Sequence, residues 1–202
     1  MDFSEQLPMN SYQIDQYDHS KLCAYFLTIC ISKRACYFGN IVDGIMISFP
    51  LNEIIRDIWE GIPDKFSNVD LDAFIIMPNH VHGIIIVNRG LKESIYNDNY
   101  VKEVNRHAVK DYTLMKDSKL IVVKIIRYFK TKSTRLIHRS GFPHFKWQRN
   151  YYVFGVPTKS KLEAVREHII NNPVKWNLDR DNYLSKNFNM DPDKYYMEVF
   201  EK

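Results

Sequence analysis

His80 and His82 are the residues of this chain best placed to do chemistry. They stand in the run Phe74-Ile75-Ile76-Met77-Pro78-Asn79-His80-Val81-His82-Gly83-Ile84-Ile85-Ile86-Val87, where two apolar stretches meet at a histidine pair. Such β-branched stretches, bounded by polar residues, read as buried strand. Side chains two apart on a strand project to one face, so the two imidazoles stand together while Val81 turns to the opposite layer. The pair can hold one cation against the sheet. A bare His-x-His leaves a plainer alternative open: half-buried imidazoles hydrogen-bonded to their neighbours.

The second chemical feature is a one-sided charge. From Lys119 to Leu162 there is no Asp or Glu, while eleven of the chain's 28 basic residues fall there, among them Lys124, Arg127, Lys130, Lys132, Arg135, Arg139, Lys146 and Arg149. That pattern is the footprint of a protein that meets a polyanion. Tyr128, Phe145, Trp147, Tyr151 and Tyr152 are interleaved with the cations, and aromatic rings beside cations suit unpaired bases. For each cation taken singly, a solvated side chain is the plainer reading; the group makes the case.

The elements that must position these residues follow from periodicity. Residues 1–20 form an irregular lead-in. Cys23 to Ile31 reads as a first strand, and the pieces Cys36–Asn40 and Val42–Met46 as short, turn-punctuated extended segments. After Ser48 and Pro50, the residues Leu51, Ile54, Ile55, Ile58 and Trp59 recur at helical spacing. Leu71 to Met77 and His80 to Val87 are the next strands, with Pro78-Asn79 interrupting the ladder. The stretch from about 88 to 118 has no period and reads as a long loop, a feature that is usually functional or mobile. Asp117 or Ser118 caps a helix with core positions Val122, Ile125, Ile126, Phe129 and Leu136, ending near Ser140-Gly141. Phe145 to Phe154 alternates as a strand. Ser160-Lys161-Leu162-Glu163 opens a helix that stops at Asn172-Pro173, with His168 and Asn172 sharing one edge. The remainder is a polar tail with scattered aromatics.

A chain of 202 residues that is 45% hydrophobic and 14% aromatic supports one domain with a sizeable core. No run approaches the roughly 18 apolar residues that would span a bilayer, and the acidic start Met1-Asp2-Phe3-Ser4-Glu5 is not that of a signal peptide. The expectation is a cytoplasmic protein without membrane contact. Cys23, Cys30 and Cys36 form no Cys-x-x-Cys pair and are expected as reduced core thiols.

Three stretches in order carry a resemblance: Met77-Pro78-Asn79-His80-Val81-His82-Gly83-Ile84, Lys146-Trp147-Gln148-Arg149-Asn150-Tyr151-Tyr152, and His168-Ile169-Ile170-Asn171-Asn172-Pro173-Val174-Lys175. Together they resemble the single-tyrosine HUH transposases, closest to the REP-associated tyrosine transposase branch. Supporting matches are Tyr17-Asp18, Ala24 to Cys30, Phe38-Gly39 and Phe129-Lys130. The resemblance implies an α+β domain over residues 21–178: a ferredoxin-like antiparallel sheet with helices packed on one face, followed by a tail at 179–202. It implies Mg2+ or Mn2+ held by His80 and His82, with Asn172 as third ligand. It also implies cleavage and joining of structured single-stranded DNA, a hairpin with a flanking strand, as in DNA transposition. Phosphate contacts would come from Lys124, Arg127, Lys130, Arg135, Lys146 and Arg149, with Trp147 stacking on a base. No small-molecule cofactor is implied, and a homodimer is compatible with the pattern.

At the position of the family's nucleophilic tyrosine, four residues before Asn172, this chain has His168. Four outcomes stand open. The protein keeps the fold and DNA binding as a degenerate or domesticated module; Tyr151 or Tyr152 takes over as nucleophile; His168 serves as a general base or an extra ligand in a hydrolytic nuclease; or the chain is an unrelated binder of metal or polyanion.

Overall fold

Strands that are apolar on alternate positions of both faces must be covered on both sides, and the two central strands of this protein are of that kind. The computed structural model describes residues 22–88 and 106–200. Its elements are β1 (Leu22–Cys30), β2 (Gly39–Val42), β3 (Ile45–Ser48), α1 (Leu51–Glu60), α2 (Ile62–Lys65), β4 (Val69–Met77), β5 (His80–Asn88), α3 (Arg106–Arg139), β6 (Tyr152–Val156), α4 (Lys159–Asn171) and α5 (Pro192–Phe200). Four strands make an antiparallel sheet in the order β4-β5-β1-β6, and β2 with β3 forms a separate hairpin. With α1 and α3 as crossovers this is the ferredoxin-like arrangement, in a mixed α+β fold.

On one face, Tyr25, Leu27, Ile29 and Ile31 of the first strand and its exit, with Val81, Ile85 and Val87 of β5, pack on Ile55, Ile58 and Trp59 of α1 and Val122, Ile125, Ile126 and Phe129 of α3. The other face presents Ala24, Phe26, Ile84 and Ile86 to Leu162, Val165 and Ile169 of α4 and Tyr195, Tyr196 and Phe200 of α5. The crossover helices thus occupy one face, as expected. The second face, for which no helix layer was expected, is covered by the C-terminal helices, because both strands carry apolar side chains on both sides.

Several boundaries differ from the expectation. Pro78-Asn79 is the two-residue connection of the β4–β5 hairpin, with Met77 paired to His80. The expected loop from 88 to 118 falls partly outside the described residues, as does the whole lead-in 1–20, and α3 starts at Arg106 rather than at 117 or 118. Phe145 to Phe154 is not one strand. Only Tyr152–Val156 joins the sheet, apart from a bridge of Trp147 to Ile31. The cause is Lys130, whose ammonium donates to the carbonyls of Gln148, Arg149 and Asn150 and turns three successive oxygens one way, which a pleated strand cannot do. Helix α4 is capped by Thr158, whose hydroxyl accepts from the Lys161 amide, two residues before the expected start. Cys30 is buried, whereas Cys36 is exposed and not a core thiol. Among the described residues no helix is long and apolar enough to cross a membrane.

Gly83 lets the sheet approach α1 closely. The Trp59 indole stacks on Phe74 at 4.4 Å between centroids, and a Cβ at position 83 would collide with the Trp59 ring. Trp59 is itself buried against Phe129 and cannot yield cheaply. Gly83→Ala should therefore destabilise the protein by about 2 kcal/mol, the usual cost of overpacking a tight core. Urea unfolding would show it as a lower midpoint with an unchanged slope, and an unshifted midpoint would mean that the indole moves freely.

Candidate metal centre

The antiparallel register places His82 opposite Thr28 and His80 opposite Cys30 on β1, with both imidazoles on the α4–α5 face. Each ring is fully buried and is held by its Nδ1. Asn79 donates through Nδ2 to the carbonyls of Asp181 and Arg34, at 2.9 and 3.3 Å, which fixes its Oδ1 as the acceptor 2.9 Å from His80 Nδ1. His80 must then donate from Nδ1 and keep its lone pair on Nε2. His82 Nδ1 lies 3.0 Å from the Thr28 hydroxyl, which in turn meets the Tyr196 hydroxyl at 2.9 Å. The Nε2 atoms of the two histidines face each other at 3.0 Å.

That meeting has two physical solutions. Thr28 can donate to His82, which then donates its Nε2 proton to His80 and leaves a closed hydrogen-bond chain. Alternatively, Thr28 accepts from His82 Nδ1 and both Nε2 lone pairs point at one cation. A hydroxyl offers one donor and two acceptor sites, so Thr28 serves either state. Two nitrogens bound at about 2.1 Å at right angles around an ion stand about 3.0 Å apart, so the spacing fits ligation.

The rest of the donor set also fits an ion. The Asp179 carboxylate has Oδ2 at 3.8 Å from His80 Nε2 and 4.0 Å from His82 Nε2, and the three candidate ligand atoms lie within 4.8 Å of one another. Asp179 is positioned by the Asn172 amide, which donates to Oδ2 at 2.9 Å, and by the Asp181 backbone amide, which donates to Oδ1 at 2.6 Å. Two buried polar atoms beside this group have no hydrogen-bond partner: His168 Nε2 and Asn172 Oδ1. Unpaired buried donors and acceptors are costly, so each such atom calls for a physical account. An amide oxygen and imidazole nitrogens beside a carboxylate are ordinary ligands for a divalent ion. His168, Asn172, His80 and His82, read from the sequence as site residues, are brought together.

Burial first, and the facing His82 next, push His80 well below the ordinary histidine value. The same two causes push His168 down to about 3. Burial opposes the charge on Asp179, but His80, His82 and the Asp181 amide outweigh it and hold the carboxyl below the usual carboxylate range. Neutral imidazoles beside one carboxylate are what a cation requires. Asp181 lies just outside, accepting from Arg34 and Arg180 and, at 3.6 Å, from the Cys30 thiol. Burial and the nearby Asp179 push Asp181 up, against both guanidinium groups.

Sequence reasoning missed Asp179, Asp181, Thr28 and Tyr196. The pattern Asp179-x-Asp181 shortly after Asn172-Pro173 was the available signal for the acids, and it lay in a stretch read as the end of the domain and a polar tail. That stretch supplies the carboxylate, and Trp176 lies over His80 at 6.0 Å between ring centroids.

The tyrosines named as alternatives are differently placed. Tyr151 is exposed and lies under the Lys130 ammonium at 5.1 Å, on the α3 side of the sheet edge, away from the histidine face. Tyr152 is on the histidine side and stacks on Tyr196 at 4.7 Å. Its phenol is pushed up by burial and by a hydrogen bond to Asp193, so it ionises less readily than an ordinary tyrosine.

The basic residues divide. Arg135, Lys146 and Arg149 line an open groove of about 660 Å³ between α3 and the 146–149 segment, together with Lys130, Trp147 and His138. Lys124 and Arg127 continue the exposed side of α3. Lys130 commits its donors to the carbonyls of residues 148–150 and so shapes the groove wall. Trp147 donates from Nε1 to Ser133 at 2.9 Å and packs against Phe38, Phe129 and Phe145, which makes it a half-buried wall rather than a free stacking platform.

No family model matches the chain. An uncharacterised protein of Haemophilus influenzae is 30% identical over 170 residues, spanning 84% of this chain and 91% of that protein. The chain belongs to the same family as that protein. Among solved structures, a REP-associated tyrosine transposase bound to a REP hairpin aligns over 77% of this chain and 69% of its own, at 15% identity and a TM-score of 0.48. A candidate transposase of Deinococcus radiodurans aligns over 73% and 88%, at 18% identity and a TM-score of 0.36. At these scores neither likeness bears on what this chain does.

Histidines held neutral in the native state but free to protonate when unfolded make stability depend on pH. Their folded values lie below the unfolded 6.5, so between the two the unfolded chain binds more protons and stability falls as pH drops. For metal-free protein, the unfolding free energy should fall from pH 7 to pH 5, with His80 and His168 each contributing up to about 1.4 kcal/mol per pH unit below 6.5. Urea midpoints across that range would test this, and a level profile would show that these imidazoles are not held neutral.

Proposed function

We propose that the protein is a transposase-like DNA-binding protein that takes structured single-stranded DNA in the basic groove and holds a divalent ion at the histidine pair. The observation that carries the reading is convergence. The three sequence stretches that resemble single-tyrosine HUH transposases meet at one end of the sheet: Cys30 is paired with His80 on one side, its carbonyl accepts from the Gln148 amide at 2.8 Å on the other, and the His168 ring is 5.3 Å from that of His82. The cations of the groove and the ion site thus lie at one end of the sheet, on opposite faces.

A bound divalent ion would withdraw charge from a phosphate oxygen. What this chain's residues do is hold His80 in one tautomer through Asn79, orient the His82 ring through Thr28, and keep the site dry. Phosphate access requires the covering segment from Trp176 to Asp181 to move aside. A covalent phenol step has no support: His168 occupies the nucleophile position, Tyr196 is bonded to Thr28, and Tyr152 is held protonated. His168 at about 3 is also too weak a base to activate water well at neutral pH. The reading therefore favours hairpin binding without a phosphotyrosine intermediate.

If Lys124, Arg127, Arg135, Lys146 and Arg149 each neutralise one phosphate, the logarithm of hairpin affinity should fall with the logarithm of salt at a slope of about −3.5. Fluorescence anisotropy with a labelled hairpin from the gene's own flanks measures it. The pair Arg135→Ala and Arg149→Ala should lower the slope by about 1.4, whereas His80→Ala with His82→Ala should leave affinity within about threefold and abolish any cleavage. Salt-independent binding would end the DNA reading.

A further inference from the structure

His168 is the one imidazole of the cluster whose surroundings do not account for it. It projects from α4 into a box formed by Phe26, Tyr196 and Phe200, with ring centroids at 6.1, 5.8 and 5.6 Å. The residue is 5% exposed and its Nε2 has no partner. A phenylalanine would fill an aromatic box at no polar cost, so a nitrogen there needs a partner. The neighbouring polar group is the His80–His82–Asp179 cluster.

Two of the three ring spacings match those of imidazoles that share one ion. A nitrogen ligand at about 2.1 Å sets its ring centroid about 3.2 Å from the ion; two such rings stand about 4.5 Å apart at right angles and about 5.2 Å apart at the tetrahedral angle. The observed separations are 4.4 Å for His80 and His82, and 5.3 Å for His82 and His168. Asp179 supplies the negative charge and has its ligand atom within 4.8 Å of those of His80 and His82; His168 lies outside that group and joins it by closing on the ion. Magnesium prefers oxygen ligands in an octahedron and keeps several waters, whereas imidazole donors favour zinc and its neighbours. A pocket whose four donor residues are at most 5% exposed leaves little room for a water shell.

We propose that this chain binds its ion with three imidazoles, His80, His82 and His168, and the Asp179 carboxylate, and that this donor set selects a nitrogen-preferring transition divalent such as Zn2+ over Mg2+. The residue at the nucleophile position is then a ligand. The proposal rests on the reading of His80 and His82 as metal ligands, and it adds both the fourth residue and the choice of metal.

The full-length protein, stripped with chelator and dialysed, is titrated with Zn2+, Co2+ and Mg2+, followed by native mass spectrometry, thermal melting and the visible spectrum of the Co2+ form. Expected are one Zn2+ per chain, a melting point raised by micromolar Zn2+ and unmoved by millimolar Mg2+, and a Co2+ spectrum of low coordination number. His168→Phe should fold, filling the box, yet bind Zn2+ at least 100-fold more weakly with an altered Co2+ spectrum; His168→Gln is the second variant should the first not fold. Unchanged Zn2+ affinity and Co2+ spectrum in both His168 variants, alongside loss of binding in His80→Ala, would remove His168 from the ligand set while leaving the histidine-pair site standing. Equal stabilisation by Mg2+ would overturn the choice of metal. Absence of binding by the unaltered protein would overturn the metal reading itself.

Discussion

A lone pair buried away from water must meet a proton or a metal ion, and this structure concentrates that requirement at one point. His80 and His82 begin a strand that is buried on both faces, so water cannot relieve them. Asn79 and Thr28 take one nitrogen of each ring, and the remaining nitrogens are forced together. Much of the second face serves this arrangement. Helix α4 brings His168 and, at its C-cap, Asn172, the segment after it brings Asp179, and α5 brings the Tyr196 hydroxyl that completes the Thr28 hydrogen bonds.

The polar groups around the centre form a connected network, and its parts are mutually dependent. Asn79 couples His80 to the backbone of Asp181 and Arg34; Asp181 couples Arg34 and Arg180 to the Cys30 thiol; its backbone amide also positions Asp179. Such networks are stiff when satisfied and costly when broken, because the interior screens charge poorly. The end of β1, the β4–β5 connection and the segment after α4 are therefore tied as a unit, and the histidine geometry follows from that tie.

The histidine pair and the strands were legible because both follow from a two-residue period: His80 and His82 share a face on any strand, and the apolar runs of β1 and β5 mark buried strands. The α1 stripe and the core face of α3 were legible for the same reason at helical period. Asp179 was not legible, since its role depends on a contact between residues about a hundred positions apart, and nothing local distinguishes it from a solvated acid. The partners of Lys130 were equally hidden. Its charge reads as a phosphate contact, while its geometry commits it to three carbonyls that interrupt the strand expected from Phe145 to Phe154. The second layer of helices was missed in part because α5 follows a stretch that reads as polar, with Tyr195 and Tyr196 its only strong local signal.

The order of residues along the chain has a consequence for synthesis. Translation runs from the N-terminal end, so the histidines on β5 and then the basic residues of α3 and 146–149 are made before Asp179 and Tyr196. Until those two residues are in place, the pocket lacks its carboxylate and the hydroxyl behind Thr28. The centre is thereby assembled only after the segment that follows α4 has been made, and a messenger cut short after Val156 would encode the residues of the groove without the centre.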